Sequence, residues 1–534
     1  MEKYIISNQA NCKYCYKCLR NCPVKSISFS DNISKVIDSE CILCGKCIEV
    51  CPQDAKNYLF EYERLKDFFG KKFFVSIAPS FFSYFDEPFK IISYLKKNGA
   101  IISETSVGAE LVSKEYEKLS GIKISTACPV VVNLVEKYYP EKIKYLSPVV
   151  SPAIAHARFL KQYFGNYPLV FIGPCIAKKR ELEKEYDLVL TFEELEKFLE
   201  SENIDILDFE DDFPQEPYPK LARFYPISGG ILKTLGETFD QVFNIEGVKN
   251  IKDFLDRVDD IDGNYFVEMS ACIGGCIEGP ASRKDISQLE KRIRLSQNIK
   301  KIPEGKTIEN VELDLKRKFK DKKHYYNYTE QQIQEVLFSI GKTDKSKELN
   351  CSACGYDTCR EKAIAVLEKK AEKEMCITYL IDKVSTVSNM VVEETPNLIL
   401  IVKDGNINYK NKAARLTFMS LSNKKLWEFL KDVEQSGFKE IAVNSKNLKF
   451  FVKRFNLPED SGEVFILTDV TKELEQEERV KIIKKHTIEK IEEVLNKQML
   501  LAQEIASLLG ESIAETKSHF TEFKRYMEEE NDYL

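Results

Sequence analysis

Four short apolar runs, each ending in a loop with Pro or Cys, set the rhythm of residues 72–300. They are FFVSIAPS at 73–80, IKISTACP at 122–129, LVFIGPC at 169–175 and YFVEMSAC at 265–272. Between them, stretches such as Leu111–Leu119 and Val130–Tyr139 carry apolar residues at helical spacing. Buried strands alternating with helices predict an α/β region built on a mostly parallel sheet, with sites at the strand ends. A helical patch, YERLKDFFG, precedes this region. After it, 284–349 is lysine-rich and reads as a mainly helical, solvated connector, and a helix is expected around 360–392. From Pro396 the period changes to short strands, with Asp404-Gly405 placed for a hairpin turn. Helical pieces follow, then KEIAVNS, LKFFVKRFN and EVFILTDV. From about 474 the chain reads as one long charged helix with Ile488, Ile491, Leu495, Leu501, Ile505 and Leu508 at three- and four-residue steps.

Length changes this picture by requiring several cores: 534 residues predict roughly three to five domains. The expected boundaries are 1–60, 65–300, a connector at 301–345, 346–385, 390–475 and a C-terminal helix at 476–534. With 43% hydrophobic and 31% charged residues, the composition is that of a globular protein. A net charge of −6 gives no reason to expect nucleic acid or an acidic membrane as a partner. No run approaches the ~20 apolar residues of a membrane span. The first dozen residues carry no apolar signal core, so a cytoplasmic location is expected.

The cysteines change it most. All sixteen fall into four sets of four. Cys12, Cys15, Cys18, Cys22 and Cys41, Cys44, Cys47, Cys51 each spell C-x-x-C-x-x-C-x-x-x-C-P, and in a reducing compartment such spacing favours metal over disulfide. In two-cluster ferredoxins each triplet wraps one cube and the distant Cys binds the other. Cys12, Cys15, Cys18 and Cys51 are therefore expected to hold one [4Fe–4S] cluster, and Cys41, Cys44, Cys47 and Cys22 its partner. Exposed cubes of this kind also suggest an anaerobic setting. A third set is Cys351, Cys354, Cys359 and Cys376. The fourth is scattered: Cys128, Cys175, Cys272 and Cys276. Three of the four strand-end loops deliver these last thiols, so their convergence is a geometric expectation.

The residues flanking the scattered set carry a resemblance. Ser125-Thr126-Ala127-Cys128-Pro129, Pro174-Cys175-Ile176-Ala177-Lys178 through Glu181, and Glu268-Met269-Ser270-Ala271-Cys272 through Cys276 occur in this order. Together they resemble the active-site signatures of the [FeFe] hydrogenases over roughly residues 1–300. The resemblance implies that Cys128, Cys175, Cys272 and Cys276 bind a cube. It makes Cys276 the bridge to a diiron subsite carrying CO, cyanide and an azadithiolate. Lys178 would then hydrogen-bond a cyanide, an ammonium donor suited to an anionic acceptor. Ala78, Pro79 and Ser80 match the first active-site loop. Two departures stand out. Ala127 occupies the place of the proton-transferring cysteine and cannot titrate, so turnover should be slow or use another route. Gly173 and Ser270 replace two methionines and should loosen the pocket.

The third set, with Asn350, Gly355, Tyr356 and Thr358, resembles a small [4Fe–4S] domain of redox and corrinoid proteins. Residues 390–475 look like a PAS domain that closes on Asp469-Val470-Thr471. They contain no His or Cys, which excludes histidine-ligated haem and a cysteinyl–flavin adduct. The whole chain is similar to a sensory hydrogenase, expected to oxidise H2 reversibly and slowly and to relay redox state to PAS. The partners this implies are H2, an electron carrier such as ferredoxin, a signalling output protein and a second copy of the chain. A metabolic hydrogenase, or a non-catalytic relative that never receives the diiron unit, are the rival readings.

Overall fold

The computed structural model describes residues 4–30, 33–308, 311–458, 462–509 and 520–527. The chain divides into two compact units, Met1–Leu380 and Ile381–Leu534, so the first four expected domains pack as one body. At its start, β1 (Ile5–Ser7) pairs antiparallel with β4 (Lys56–Tyr58), closing the N-terminal segment on itself. Between them β2 (Ile27–Ser30) and β3 (Ile33–Val36) form a second antiparallel pair where the sequence reads as turn-rich; Asp31 and Asn32 lie outside the described residues. The helical patch is a 3-10 helix, Tyr62–Phe68.

The α/β region holds two parallel sheets rather than one. The first has the order β6 (Ala100–Glu104), β5 (Phe73–Ile77), β8 (Leu169–Gly173), β9 (Leu188–Thr191). The second has the order β10 (Gln241–Glu246), β11 (Tyr265–Ser270), β7 (Lys123–Ile124). Both β5 and β8 are buried along their whole length, as expected for central strands covered on two faces. The four motif-bearing strands thus divide evenly, β5 and β8 in one sheet, β7 and β11 in the other. Loop hydrogen bonds stitch β7 to β11: Ser125 N donates to Val267 O, and Met269 N donates to Ser125 Oγ.

Helices Ser106–Tyr116 and Pro152–Phe164 cross at Gly108. A Cβ there would lie 2.1 Å from Pro152 O and 2.6 Å from His156 N, so only glycine allows the approach. His156 is fully buried, with Nδ1 2.7 Å from Ser76 Oγ and Nε2 2.9 Å from Ser103 Oγ.

The lysine-rich stretch is largely exposed, as expected of a solvated connector, but it is not mainly helical. Helices cover Gln288–Lys301 and Glu330–Ser339, but most of the residues between them run without regular structure along the core. Val150 N donates to Leu315 O, and Lys322 pairs with the buried Glu136 at 2.5 Å. Side-chain pinning of this kind replaces helical hydrogen bonds. The expected helix at 360–392 is likewise two, Cys359–Leu367 and Ile377–Glu394. The break contains Lys369 at φ 57°, and the loop returns Cys376.

The second unit is one antiparallel sheet. Its order is β13 (Asn406–Lys410), β12 (Leu398–Lys403), β16 (Glu463–Asp469), β15 (Lys446–Asn456), β14 (Ser436–Val443). Asp404 and Gly405 both have positive φ, 50° and 75°, as a two-residue type I′ hairpin requires. Buried Asn411 is fully used: its Oδ1 accepts from Ile399 N and Ala414 N, and its Nδ2 donates to Val392 O and Asn397 O. A helix spans Thr471–Leu509, and 520–527 is also helical; the side chains of Ile505 and Leu508 lie outside the described residues. No described helix is long and apolar enough to cross a membrane.

Burial of His156 gives a pH test. Desolvation holds its imidazole down at about 3, below the ordinary value near 6.5. The unfolded chain therefore takes up this proton first as pH falls. The contribution is complete above pH 6.5 and declines toward pH 3, with about 2 kcal/mol lost by pH 5. Anaerobic guanidinium midpoints at pH 7 and pH 5 should differ less in His156→Gln than in the parent chain. An equal difference would remove His156 as the cause.

Candidate active site

Parallel strands point their C-terminal ends the same way, and here five such ends meet at one cavity of about 90 Å3. Ala78, Pro79 and Ser80 follow β5, Thr105 and Ser106 follow β6, Ala127 and Cys128 follow β7, and Pro174 and Cys175 follow β8. Met269 and Ser270 close β11, and Cys276 enters from the loop beyond. Directly alongside, Cys128, Cys175, Cys272 and Cys276 together ring a second hollow. The scattered quartet does converge, and the neighbouring cavity is lined by the expected Pro79, Ser80, Ala127 and Lys178.

Burial dominates the electrostatics. It pushes Cys175 up to about 11, Cys276 up to about 12 and Cys272 well above the usual thiol range, and the neighbouring thiols add to the shift. Four thiols held so close resist ionisation unless cations share their charge, which is the setting soft iron ligands require. Among the described residues no three His, Cys, Asp or Glu close to single-ion spacing; the thiols surround hollows instead.

Lys178 reaches the cavity on the short helix Ala177–Glu181, directly after β8 and Cys175. Its Nζ donates to Glu181 Oε2 at 2.5 Å and Ala127 O at 3.3 Å, and Arg317 holds Glu181 Oε1 at 3.2 Å. The ammonium is thus fixed in direction while one donor position stays open to a ligand.

Ser106 and Tyr225 escaped the sequence motifs, and Glu268 and Gly173, which the motifs include, take roles not read from them. Ser106 lines the cavity and is fully buried, and its Oγ, like that of Ser80, has no hydrogen-bond partner. Two orphaned hydroxyls beside a cavity fit a bound group with polar ligands of its own. Tyr225 lines the same cavity, with its OH 2.6 Å from Ser113 Oγ. Glu268 accepts from Gly229 N at 3.0 Å, Ile231 N at 2.9 Å and Leu232 N at 3.2 Å, tying the loop that carries Pro226 and Ile231 to β11. Burial raises its carboxyl to about 7 against the pull of those three donors. Lastly, Gly173 does not loosen the pocket. A Cβ there would lie 2.7 Å from the Phe171 ring, so that ring fills the space expected to be vacant.

The other quartets also assemble. Cys22, Cys41, Cys44 and Cys47 line one hollow, which joins the distant Cys22 to the second triplet as ferredoxin ligation demands. Buried Lys56 lies beside Cys18, Cys47, Cys12 and Cys51, its Nζ donating to Ser7 Oγ and Ser34 O. Cys15 is exposed near Cys18. Cys351, Cys354, Cys359 and Cys376 ring a further hollow together with buried Lys362.

Comparison with known proteins agrees with this geometry. Residues 71–280 match the family of the iron-only hydrogenase large subunit, C-terminal domain. Residues 71–280 are thus similar to an iron-only hydrogenase domain. Residues 4–52 match the 4Fe-4S dicluster domain, and 348–378 match an Fe–S cluster domain family. Iron hydrogenase 1 of Clostridium pasteurianum is 24% identical over 258 residues, covering 37% of this chain and 45% of that relative. The match thus spans less than half the relative's length. Among solved structures, apo [FeFe]-hydrogenase HydA1 from Chlamydomonas reinhardtii is 14% identical, covering 44% of this chain and 88% of its own, with TM-score 0.35. The HydA(deltaEFG) [FeFe]-hydrogenase is also 14% identical, covering 49% and 91%, with TM-score 0.35.

Glu268→Gln tests how the α/β region holds its cavity wall. The amide has one acceptor oxygen in place of two, leaving a buried N–H facing an amide donor, which costs about 1–3 kcal/mol. Anaerobic denaturation should show that loss, and proteolysis should find the 226–232 loop more readily. An unchanged midpoint would mean the loop is held by other contacts.

Proposed function

We propose that this iron–sulfur protein reacts reversibly with H2 at a diiron–cube centre and signals the result through its C-terminal unit. The observation that carries the reading is the cavity itself. Four thiols from separate loops ring one end, while Lys178 and the unpartnered Ser80 and Ser106 hydroxyls line the other. Cys128, Cys175, Cys272 and Cys276 would hold the cube, with Cys276 shared with the diiron unit. Bound there, the group would supply heterolytic H2 chemistry and one-electron exchange. The chain's own residues bind, orient and exclude water. Lys178 Nζ presents a fixed N–H to an anionic ligand, Ser80 and Ser106 offer hydroxyls, and Phe171, Pro152 and Ile231 keep the wall apolar.

Ala127 sets the expected pace. It lines the cavity but has no titratable atom, so it neither takes nor returns a proton. Slow turnover suits a sensor, which needs a change of state rather than flux.

The second unit supports a PAS assignment. Its strand order runs 2-1-5-4-3 within the unit, with helices between the second and third strands. At the end of β16, Asp469 Oδ1 accepts from Thr471 N and Oγ1, while Lys449 N donates to Thr471 Oγ1. These bonds fix the start of the helix Thr471–Leu509 to β15, so a strain in the sheet would pass into that helix. A PAS module of this kind would act on a separate output protein, with the helix as a dimer contact.

Infrared spectra of anaerobically purified, diiron-loaded protein test the first reading. Sharp CO and cyanide bands that move under H2 are expected. No bands after repeated loading would favour a non-catalytic iron–sulfur protein. Ala127→Cys should raise H2 turnover at least tenfold, toward the roughly 10²–10⁴-fold that a positioned proton-transfer group supplies. No increase in a fully loaded variant would mean that protons already leave another way. Replacing Cys354 and Cys359 with Ser should leave H2 chemistry intact and abolish any H2-dependent change in hydrogen exchange of residues 390–475. Persistence of that change would separate the third cluster from signalling.

A further inference from the structure

The third cysteine module is built into the N-terminal iron–sulfur module. Arg20 donates through Nε at 3.2 Å and Nη2 at 2.9 Å to Ala353 O, between the first two cysteines of the set. Phe29 N, on β2, donates to Lys370 O at 2.9 Å. Lys370 Nζ pairs with Glu40 Oε2 at 2.7 Å, both side chains nearly buried. Gly355 lies so close to Leu19 that a Cβ would sit 3.0 Å from its Cδ2. Tyr356, between Cys354 and Cys359, is 4% exposed in one core with Leu19, Cys18, Cys22, Met375 and Ala371. Its hydroxyl has no partner, so the residue is held there by its ring.

On its other side the same N-terminal module meets the α/β region. Cys44 lines the hollow ringed by Cys128, Cys175, Cys272 and Cys276. A Cβ on Gly45 would lie 2.5 Å from Pro280 and 3.2 Å from Ile176, beside the loops of Cys276 and Cys175. Lys137 Nζ, from the helix that follows Cys128, donates to Cys41 O at 2.7 Å. One quartet, Cys22, Cys41, Cys44 and Cys47, therefore touches the catalytic hollow through Cys44 and the third module through Cys22 and Tyr356.

We propose that the cube on Cys22, Cys41, Cys44 and Cys47 is a branch point, and that the third cluster is an electron side arm joined to it across Tyr356. The Cys12, Cys15, Cys18 and Cys51 cube, with Cys15 exposed, is the other arm and faces external carriers. At the branch one electron passes from the reduced Cys22 cube, which is oxidised, to the third cluster, which is reduced; no bond, proton or leaving group moves. Buried Lys362, lining the third hollow, supplies a cation that favours the added electron. The electron comes from H2 in the function proposed above and from dithionite in the test below.

The full chain, reconstituted with iron and sulfide alone and so free of the diiron unit, is reduced stepwise with dithionite and followed by EPR. The third-cluster signal is identified by its loss in Cys351→Ser/Cys359→Ser. Expected is a magnetic splitting of that signal as the Cys22 cube becomes reduced, retained in Tyr356→Phe and in Cys12→Ser/Cys15→Ser. An unsplit signal at every potential, with iron content showing all four clusters present, overturns the side arm. Splitting that disappears in Cys12→Ser/Cys15→Ser, with the third cluster still loaded, puts the junction on the other cube and overturns the branch point. Lys362→Met should lower the third-cluster midpoint potential with its signal otherwise intact; an unmoved potential removes Lys362 from the proposal. Because no diiron unit is present, failure here leaves the H2 reading untouched, and an infrared failure leaves this one standing.

Discussion

Thiols gathered in a low-dielectric interior repel one another as they ionise, and this protein gathers them four times over. Each set needs a framework that holds the sulfurs at a fixed separation before any metal shares their charge. For three sets most of the sulfurs come from one loop, completed by a cysteine from further off in the chain. For Cys128, Cys175, Cys272 and Cys276 it is two parallel sheets whose strand ends face one cavity, so their directions, rather than any local loop, hold the sulfurs together. Strand direction is the constraint on which the rest depends. It also explains the stitching between β7 and β11 through Ser125, since a slip of either strand would separate Cys128 from Cys272.

Polar groups around the cavity follow from the same demand. Lys178 is locked by Glu181, which is locked by Arg317, and Arg223 grips Glu104 at the end of β6 through Nε and Nη2. Buried ion pairs contribute little net stability once desolvation is counted, but losing one partner is costly. Their use here is positional. They fix the walls of a cavity in which Ser80 and Ser106 are left unsatisfied, and that arrangement is sensible only if a ligand completes it.

What was legible in the sequence was whatever depends on local spacing. The C-x-x-C-x-x-C triplets, the Asp404-Gly405 turn and the strand-end loops each state their geometry within a few residues. The division into two sheets was not legible, because β5, β7, β8 and β11 are equally apolar runs and pairing is decided by distant partners. Ser106 and Tyr225 carry no motif; they matter only because β6 and the 221–232 loop reach the cavity. The stretch after Lys301 misled because lysines on a helix and a lysine pinned to Glu136 look alike in sequence. Gly173 misled for a similar reason: the side chain that fills its space, Phe171, lies on the same strand two residues earlier.

The docking of the third module bears on how a redox change could leave the first unit. Cys376 directly precedes the helix Ile377–Glu394, so a ligand of the third set and the start of that helix are covalent neighbours. Lys342 Nζ donates to Thr378 Oγ1 at 2.8 Å, and Cys376 Sγ lies 3.3 Å from the same hydroxyl. A change of charge at this set would act first on Thr378 and the first turn of the helix, where backbone N–H groups respond most to added negative charge. The first two N-terminal sets have no comparable route, since their loops end in short strands and turns that close back on the module. The third set is thus the one whose ligand shell is continuous with an outgoing helix, and its anchorage on Leu19, Arg20 and Glu40 ties that helix to the N-terminal cysteine module.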